Sequence, residues 1–270
     1  MIGAIIGDIV GSIYELNNIK TKDFELFSDK CRFTDDTVLT LAIAKSIKDC
    51  EGHYSELQNK TINNMRCFAK KYPDAGFSET FKKWAYSDNP EPYYSCGNGA
   101  AMRISCVGLI SETIEQVKDL SYKVTSVTHN HPEGIKGAEA VATAIFLAIN
   151  NLPKERIEEY INQNYYKIDF KLKDLRKTYK TYLDCQNTVP QALQCFFESE
   201  SFEDAIRNAV SIVGDSDTIA CITGSIAEAY YGVTRDLRMK ALSYLDDDLK
   251  SIFKEVENYI AAINRQGELD

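Results

Sequence analysis

MIGAIIGDIVGSIYEL (Met1–Leu16) sets Ile2, Ile5, Ile6, Ile9, Val10, Ile13 and Leu16 at i, i+3, i+4, i+7, i+8, i+11 and i+14. That spacing gathers the apolar side chains on one stripe of a helix, whereas a strand would need alternation. The other face carries Asp8, Gly11, Ser12 and Glu15. Two acids separated only by small residues leave room for something to approach. Helical periodicity continues along the chain, and predicts further helices at about 37–49, 55–72, 78–86, 112–127, 133–150, 154–164, 189–199, 202–212, 218–231 and 247–263. Period-two segments are absent. The expected fold class is therefore all-α.

Several helix starts are legible. Pro132 follows THNH, Pro153 precedes KERIEEYI, and Ser201 with Asp204 forms a variant of the capping box. The stretch 165–187, charged and tyrosine-rich, reads as a surface excursion. With 14 Gly and 6 Pro among 270 residues and no linker-like segment, residues 1–270 are expected to form a single domain.

Composition narrows the function. The chain holds 31 basic against 40 acidic residues, a net charge of −9, which disfavours general binding to nucleic acid or an anionic membrane surface. Eight cysteines include no C-x-x-C pair, so neither a zinc site nor a disulfide scaffold is indicated. The apolar N-terminus lacks a basic flank and carries Asp8 and Glu15, unlike a signal peptide or a membrane span. A soluble, cytoplasmic protein is expected, and a monomer is favoured.

Two acidic runs stand out. FTDDT (Phe33–Thr37) and GDSDT (Gly214–Thr218) each lead into an apolar helical segment. Taken singly, each run is explained by helix capping and by complementing the helix dipole. Each nevertheless has more carboxylates than a cap requires. If the two runs met Glu15, the like charges would repel strongly unless divalent cations stood between them. Carboxylate and hydroxyl donors without His or Cys suit Mg²⁺ or Mn²⁺ better than zinc. Glu15, Thr34, Asp35, Asp36, Asp215, Asp217 and Thr218 could together hold two such ions. An EF-hand is excluded because GDSDT lacks its glycine and terminal glutamate, and a D-D-x-x-D motif because position 39 is Leu39.

Two turns remain. SCGNGAAMR (Ser95–Arg103) is neither a Walker A loop nor a dinucleotide fingerprint, and reads as a plain loop or as a nest of amides for phosphate oxygens. Arg103 could supply charge to a diphosphate or pair with one of the many acids, a structural ion pair being favoured. His129 and His131 precede Pro132, where capping is the commoner role and ligand contact by His131 is an alternative.

Taken together, GAIIGDIVGSIYE, FTDDT, GNGAAMR, VTHNHPEGIKGAEAVA and GDSDTIACITGSIAEAYYG resemble the ADP-ribosylglycohydrolase family, in order and over nearly the whole chain. The resemblance implies a compact, orthogonal, all-helical domain with two Mg²⁺ or Mn²⁺ ions at the base of a cleft. It implies Thr34, Asp35, Asp36, Asp215, Asp217 and Thr218 as metal ligands. Glu15 matches a glutamate at the metal site, and Asp8 an aspartate with a mainly structural role. Gly97, Asn98 and Gly99 match a loop cradling the ADP-ribose diphosphate, and His131 a histidine near the ligand. Val213, Cys96 and Ala100 depart from the family's usual Gly, Tyr and Ser. A Val at 213 is expected to tighten the turn or to forbid a positive φ there.

The activity implied is hydrolysis of the bond between ADP-ribose and an acceptor, such as a modified arginine side chain or a small ADP-ribosyl compound. The partner would be an ADP-ribosylated protein or a small substrate. Glu15, Asp35, Asp36 and Asp217 are the catalytic candidates, the base being open among the three aspartates. The rival readings are a non-catalytic ADP-ribose-binding module and a helical protein whose acids only cap helices.

Overall fold

A computed structural model describes residues 1–266, with side chains through residue 263. The last four residues of the expected domain, 267–270, lie outside the described residues. The chain folds as α1 (Ile2–Gly11), α2 (Asp35–Lys48), α3 (Leu57–Lys71), α4 (Glu79–Tyr86), α5 (Gly99–Met102), α6 (Ser105–Ile110), α7 (Ile114–Thr125), α8 (Pro132–Ile149), α9 (Lys154–Asn164), α10 (Leu172–Thr178), α11 (Cys185–Phe197), α12 (Phe202–Ser211), α13 (Ser216–Tyr231), α14 (Arg235–Leu242) and α15 (Asp247–Gln266). Among the described residues the only strand-like pairing is one isolated antiparallel bridge, Gly97 to Asp184. The all-α expectation holds. No helix among the described residues is long and apolar enough to cross a membrane.

Helix α13 packs against α1, α8, α11 and α12, while α2 joins α3 and α15 on one flank and α8 joins α5, α6 and α7 on another. The closest approach is between α1 and α13. Gly3, Gly7 and Gly11, spaced by four, put a side-chain-free strip of α1 against the α13 backbone. A Cβ on Gly7 would lie 2.0 Å from the Ala220 carbonyl oxygen, and one on Gly11 would lie 2.4 Å from the Asp217 Cα. The small-residue face of α1 is therefore not an opening. It is filled by the helix that carries the second acidic run.

Helix α1 stops five residues short of the apolar stripe. Every residue of α1 is buried, Ile13 is only partly so, and Leu16 is 86% exposed. The Tyr14 amide bonds the Gly11 carbonyl, turning the chain away, and residues 14–18 are then tied to the loop before α13. Those tertiary hydrogen bonds override a pattern that alone would have extended the helix. Helix α11 likewise begins at Cys185 rather than 189. Asp184 caps the Asn187 amide, and the Cys185 amide bonds the Cys96 carbonyl, so the helix is anchored a turn before Pro190. The excursion at 165–187 contains α10, whose Leu172 and Leu175 are buried. Ser201 caps the Asp204 amide as expected, but the Asp204 carboxylate returns to the Glu200 amide.

Candidate active site

The first acidic run is organised by Asp8. Its carboxylate is fully buried and accepts from the Thr34 amide at 2.9 Å, the Thr34 hydroxyl at 2.6 Å, the Thr37 amide at 3.1 Å and the Thr37 hydroxyl. Four donors meet the acceptor capacity of one carboxylate. Asp8 is thus a structural acid that aims α2, as expected. Burial raises its pKa while those donors from Thr34 and Thr37 pull it back. The Thr34 hydroxyl spends its proton on Asp8 and receives the Asp36 amide at 3.3 Å, so it both caps α2 and keeps oxygen lone-pair capacity.

The second run meets the first. The Thr218 hydroxyl donates to Asp36 Oδ2 at 3.2 Å across 182 residues of sequence, and the Asn98 side-chain amide donates to Asp215 Oδ2 at 2.7 Å. Single carboxylate oxygens of Glu15, Asp215 and Asp217 lie within 4.8 Å of one another, as do those of Asp8, Asp36 and Asp217. Among the described residues, no Lys or Arg forms an ion pair with any of these acids.

Burial and mutual repulsion act in the same direction. Asp36 and Asp217 are pushed well above the usual carboxylate range, first by burial, then by Asp217 on the one and Asp215 on the other. Asp35 is raised to about 7 by burial and then by Asp8. Glu15 is raised by burial and Asp215, against the opposing charge of Arg32. Asp215 is raised less freely, because hydrogen bonds from Asn98 and its neighbours oppose burial. Asp36 Oδ1 is buried with no hydrogen-bond partner. A buried, unpartnered carboxylate oxygen among like charges is costly unless a cation meets it. The donor set fits a hard divalent ion: carboxylate and hydroxyl oxygens, with no thiolate or imidazole among them.

These groups lie on the floor and wall of a cavity of about 550 Å³, within the range of small-molecule sites. Glu15, Thr34, Asp35, Asp36, Gly97, Asn98, Gly99, Asp215, Asp217 and Thr218 all line it. His131 does not. It caps α8, its Nδ1 accepting from the Glu133 amide at 3.0 Å, with its ring edge-on to Tyr94 beside the cavity wall. His129 lines the cavity instead. Its Nδ1 faces the Thr128 hydroxyl at 2.7 Å and the Arg103 guanidinium at 3.3 Å, which assigns the ring proton to Nε2. Nε2 faces the glycine loop, where a Cβ on Gly97 would lie 3.3 Å from it. Burial and then Arg103 hold His129 well below its usual pKa, so the ring stays neutral.

Three other expectations change. Among the described residues Arg103 makes no ion pair: it is 2% exposed, donates to Thr128 Oγ1 at 2.7 Å and is held to about 10 by burial, while Asp35 acts on it through charge without a direct bond. The amides at Gly97 and Asn98 are already bonded to Ser95 Oγ and the Leu183 carbonyl, so the loop offers less than a run of free amides. Val213 does not forbid a positive φ. It adopts one, 68°, next to Gly214 at 92°. Tyr93, Phe81, Ser78, Thr80 and Leu183 also line the cavity and were not singled out in the sequence. They sit in loops and helix starts without a motif of their own. For His129, the H-x-H turn was the available signal.

The profile of the ADP-ribosylglycohydrolase family matches residues 1–267. The chain belongs to the ADP-ribosylglycohydrolase family. Among its relatives, the ADP-ribosyl-[dinitrogen reductase] glycohydrolase of Rhodospirillum rubrum is 25% identical over 255 residues, covering 88% of this chain and 81% of that protein. The ADP-ribosylarginine hydrolase Tri1 of Pseudomonas putida is 25% identical over 270 residues, covering 87% and 70%. The ADP-ribosylhydrolase ARH3 of Mus musculus is 22% identical over 316 residues, covering 86% and 82%. A solved structure described as an ADP-ribosylglycohydrolase-related protein complex superposes with a TM-score of 0.65 at 20% identity, covering 94% of this chain and 95% of that one. This ADP-ribosylglycohydrolase family member thus shares its fold with that solved structure.

Proposed function

We propose that this chain hydrolyses the glycosidic bond between ADP-ribose and an acceptor, with two divalent cations, Mg²⁺ or Mn²⁺, held by Thr34, Asp35, Asp36, Asp215, Asp217 and Thr218. One observation carries the reading: the two acidic runs meet at one cavity, with Asp36 Oδ1 buried and without a hydrogen-bond partner. The full set of acids speaks for the hydrolase over a non-catalytic binding module, and turnover is what separates the two. Bound cations would orient the distal ribose hydroxyls and polarise a water.

The chain's own groups do the rest. The Gly97–Gly99 loop and the Nε2 proton of His129 face the anionic diphosphate, while His131 caps α8 behind them. Asp35, Asp36 or Asp217 accepts a proton from the attacking water. The bond from the anomeric carbon to the acceptor breaks through an oxocarbenium-like state, water oxygen replaces it, and the acceptor leaves with a proton. Glu15 stands at the same floor and completes the acidic set. In this reading the protein is a cytoplasmic single-domain monomer, consistent with eight free cysteines.

The test is a panel of defined substrates, with arginine-, serine-, nucleic-acid- and small-molecule-linked ADP-ribose, incubated with Mn²⁺ or Mg²⁺. Release of ADP-ribose from at least one is expected. Asp36→Asn should lower that rate by about a hundredfold or more, since it removes both a ligand charge and a candidate base. Tight ADP-ribose binding without turnover on any member would overturn the hydrolase reading.

A further inference from the structure

Asn18 lies outside every motif, yet it ties the Glu15 segment to the turn before Asp215. Its side-chain amide donates to the Tyr14 carbonyl at 2.5 Å and the Gly214 carbonyl at 2.9 Å, with longer contacts to the Glu15 carbonyl at 3.2 Å and Ser216 Oγ at 3.3 Å. Two amide protons serve the two short bonds, and the longer contacts share them. Its Oδ1 accepts from the Gly214 amide at 3.0 Å. One side chain therefore satisfies both backbone groups of Gly214 and fixes the backbone on either side of the Glu15 side chain.

The clamped turn needs such support. Val213 holds φ at 68° and Gly214 at 92°, and a β-branched residue in the left-handed region is strained. Asp215 follows that turn directly as the N-cap residue of α13, without a side-chain capping bond of its own. Asp215 is held by hydrogen bonds from Asn98 and from Asp217 and Thr218 in the first turn of α13, while its backbone is placed by the turn before it.

We infer that Asn18 is a positioning residue that holds the Glu15 segment and the Asp215 turn in one register, so that Glu15 and Asp215 act as one site. The inference rests on the hydrolase reading only for its kinetic readout. Its metal-affinity and amide-exchange readouts are independent of turnover.

The experiment compares Asn18→Ala, Asn18→Gln and Asn18→Ala/Val213→Gly with the wild-type chain. Mn²⁺ affinity is measured by calorimetry, Gly214 amide exchange in metal-free protein by NMR, and kcat and KM at saturating Mn²⁺. Asn18→Ala should weaken Mn²⁺ binding and lower kcat by about tenfold each, the scale of losing a partner that orients a ligand. KM and ADP-ribose affinity at saturating Mn²⁺ should stay within about twofold, and Gly214 exchange should accelerate. Asn18→Gln, with the same amide on a longer stem, should recover part of both losses. Val213→Gly removes the strain that the clamp restrains, and should restore most of the Mn²⁺ affinity in the double variant.

Mn²⁺ affinity and Gly214 exchange unchanged in Asn18→Ala would overturn the inference, whatever the kinetics. So would a parallel tenfold loss of ADP-ribose affinity, which would mark general loosening rather than positioning. If the wild-type chain proves inactive on every substrate, the hydrolase reading fails alone, and the metal and exchange measurements still decide the role of Asn18.

Discussion

The two acidic runs look alike in sequence and are built by opposite means. In the first, the helix start is regular: Thr34 is extended at φ −122°, its hydroxyl caps α2, and the buried Asp8 carboxylate gathers the donors of Thr34 and Thr37. In the second, Asp215 makes no capping bond, the preceding turn is left-handed at two successive residues, and its partners are the distant Asn98 and Asn18. The first run is held by its helix and the helix beside it. The second is held by its own Asp217 and Thr218 together with side chains from elsewhere. Local order in the first leaves Asp36 Oδ1 without a donor, whereas Asp215 is hydrogen-bonded. The cation requirement is therefore sharpest at the better-ordered run.

The largest expected effect comes from separating the runs. Gly11 lets the end of α1 lie on the α13 backbone at Asp217, where an added Cβ would meet Asp217 Cα at 2.4 Å. Main chain cannot swing aside as a long side chain does. Gly11→Ala should destabilise the fold by about 3 kcal/mol, the upper end of ordinary overpacking, and should abolish high-affinity Mn²⁺ binding. Thermal unfolding and calorimetry check both. An unchanged melting temperature would mean that the helices are not held at this distance.

How much of this was legible follows from the same contact. The stripe Ile2–Val10, the two acidic runs and the caps at Ser201 and Pro132 are local patterns, read directly from spacing. Their convergence is not local. It depends on Gly3, Gly7 and Gly11 being spaced by four on one face, of which the sequence reading takes up only Gly11, as open space rather than as a packing surface. That His129 rather than His131 lines the cavity is also not legible in the sequence. Both residues sit in one H-x-H turn, and only the placement of Arg103 and Thr128 behind His129 aims that ring into the cavity. The end of α1 was misread for a similar reason, because Asn18 recruits residues 14–18 through bonds to Gly214 that no periodicity encodes.

An intermediate effect tests the charge balance of the floor. Asp35 is raised to about 7, and Asp36 and Asp217 are raised well above the usual carboxylate range. Carboxyls with raised folded pKa values bind protons more tightly when folded. Their stabilising contribution is complete below the unfolded value near 4 and is lost as pH rises through the folded value. Metal-free protein, kept in chelator, should therefore lose melting temperature between pH 5 and pH 8. Saturating Mn²⁺ should oppose that loss, because the ionised acids then have a partner and metal binding releases their protons. A metal-free profile that is flat across this window would show that the acids are not crowded as described.

The smallest effect concerns the turn itself, and it separates the two runs most cleanly. No residue flanking the first run has a positive φ between Arg32 and Lys48, whereas Val213 sits at 68° beside the second. Glycine adopts that region without Cβ strain, so Val213→Gly should relieve about 1 kcal/mol. Part of that gain is offset by the greater freedom of glycine in the unfolded chain and by the loss of a side chain that is only 7% exposed. The net change should be a slight rise in stability, read by denaturant unfolding with an unchanged m value. A clear fall would mean that packing of the valine outweighs its strain. The turn would then be held by its own side chain, as the first run is, and the contrast between the two runs would shrink to their hydrogen bonds.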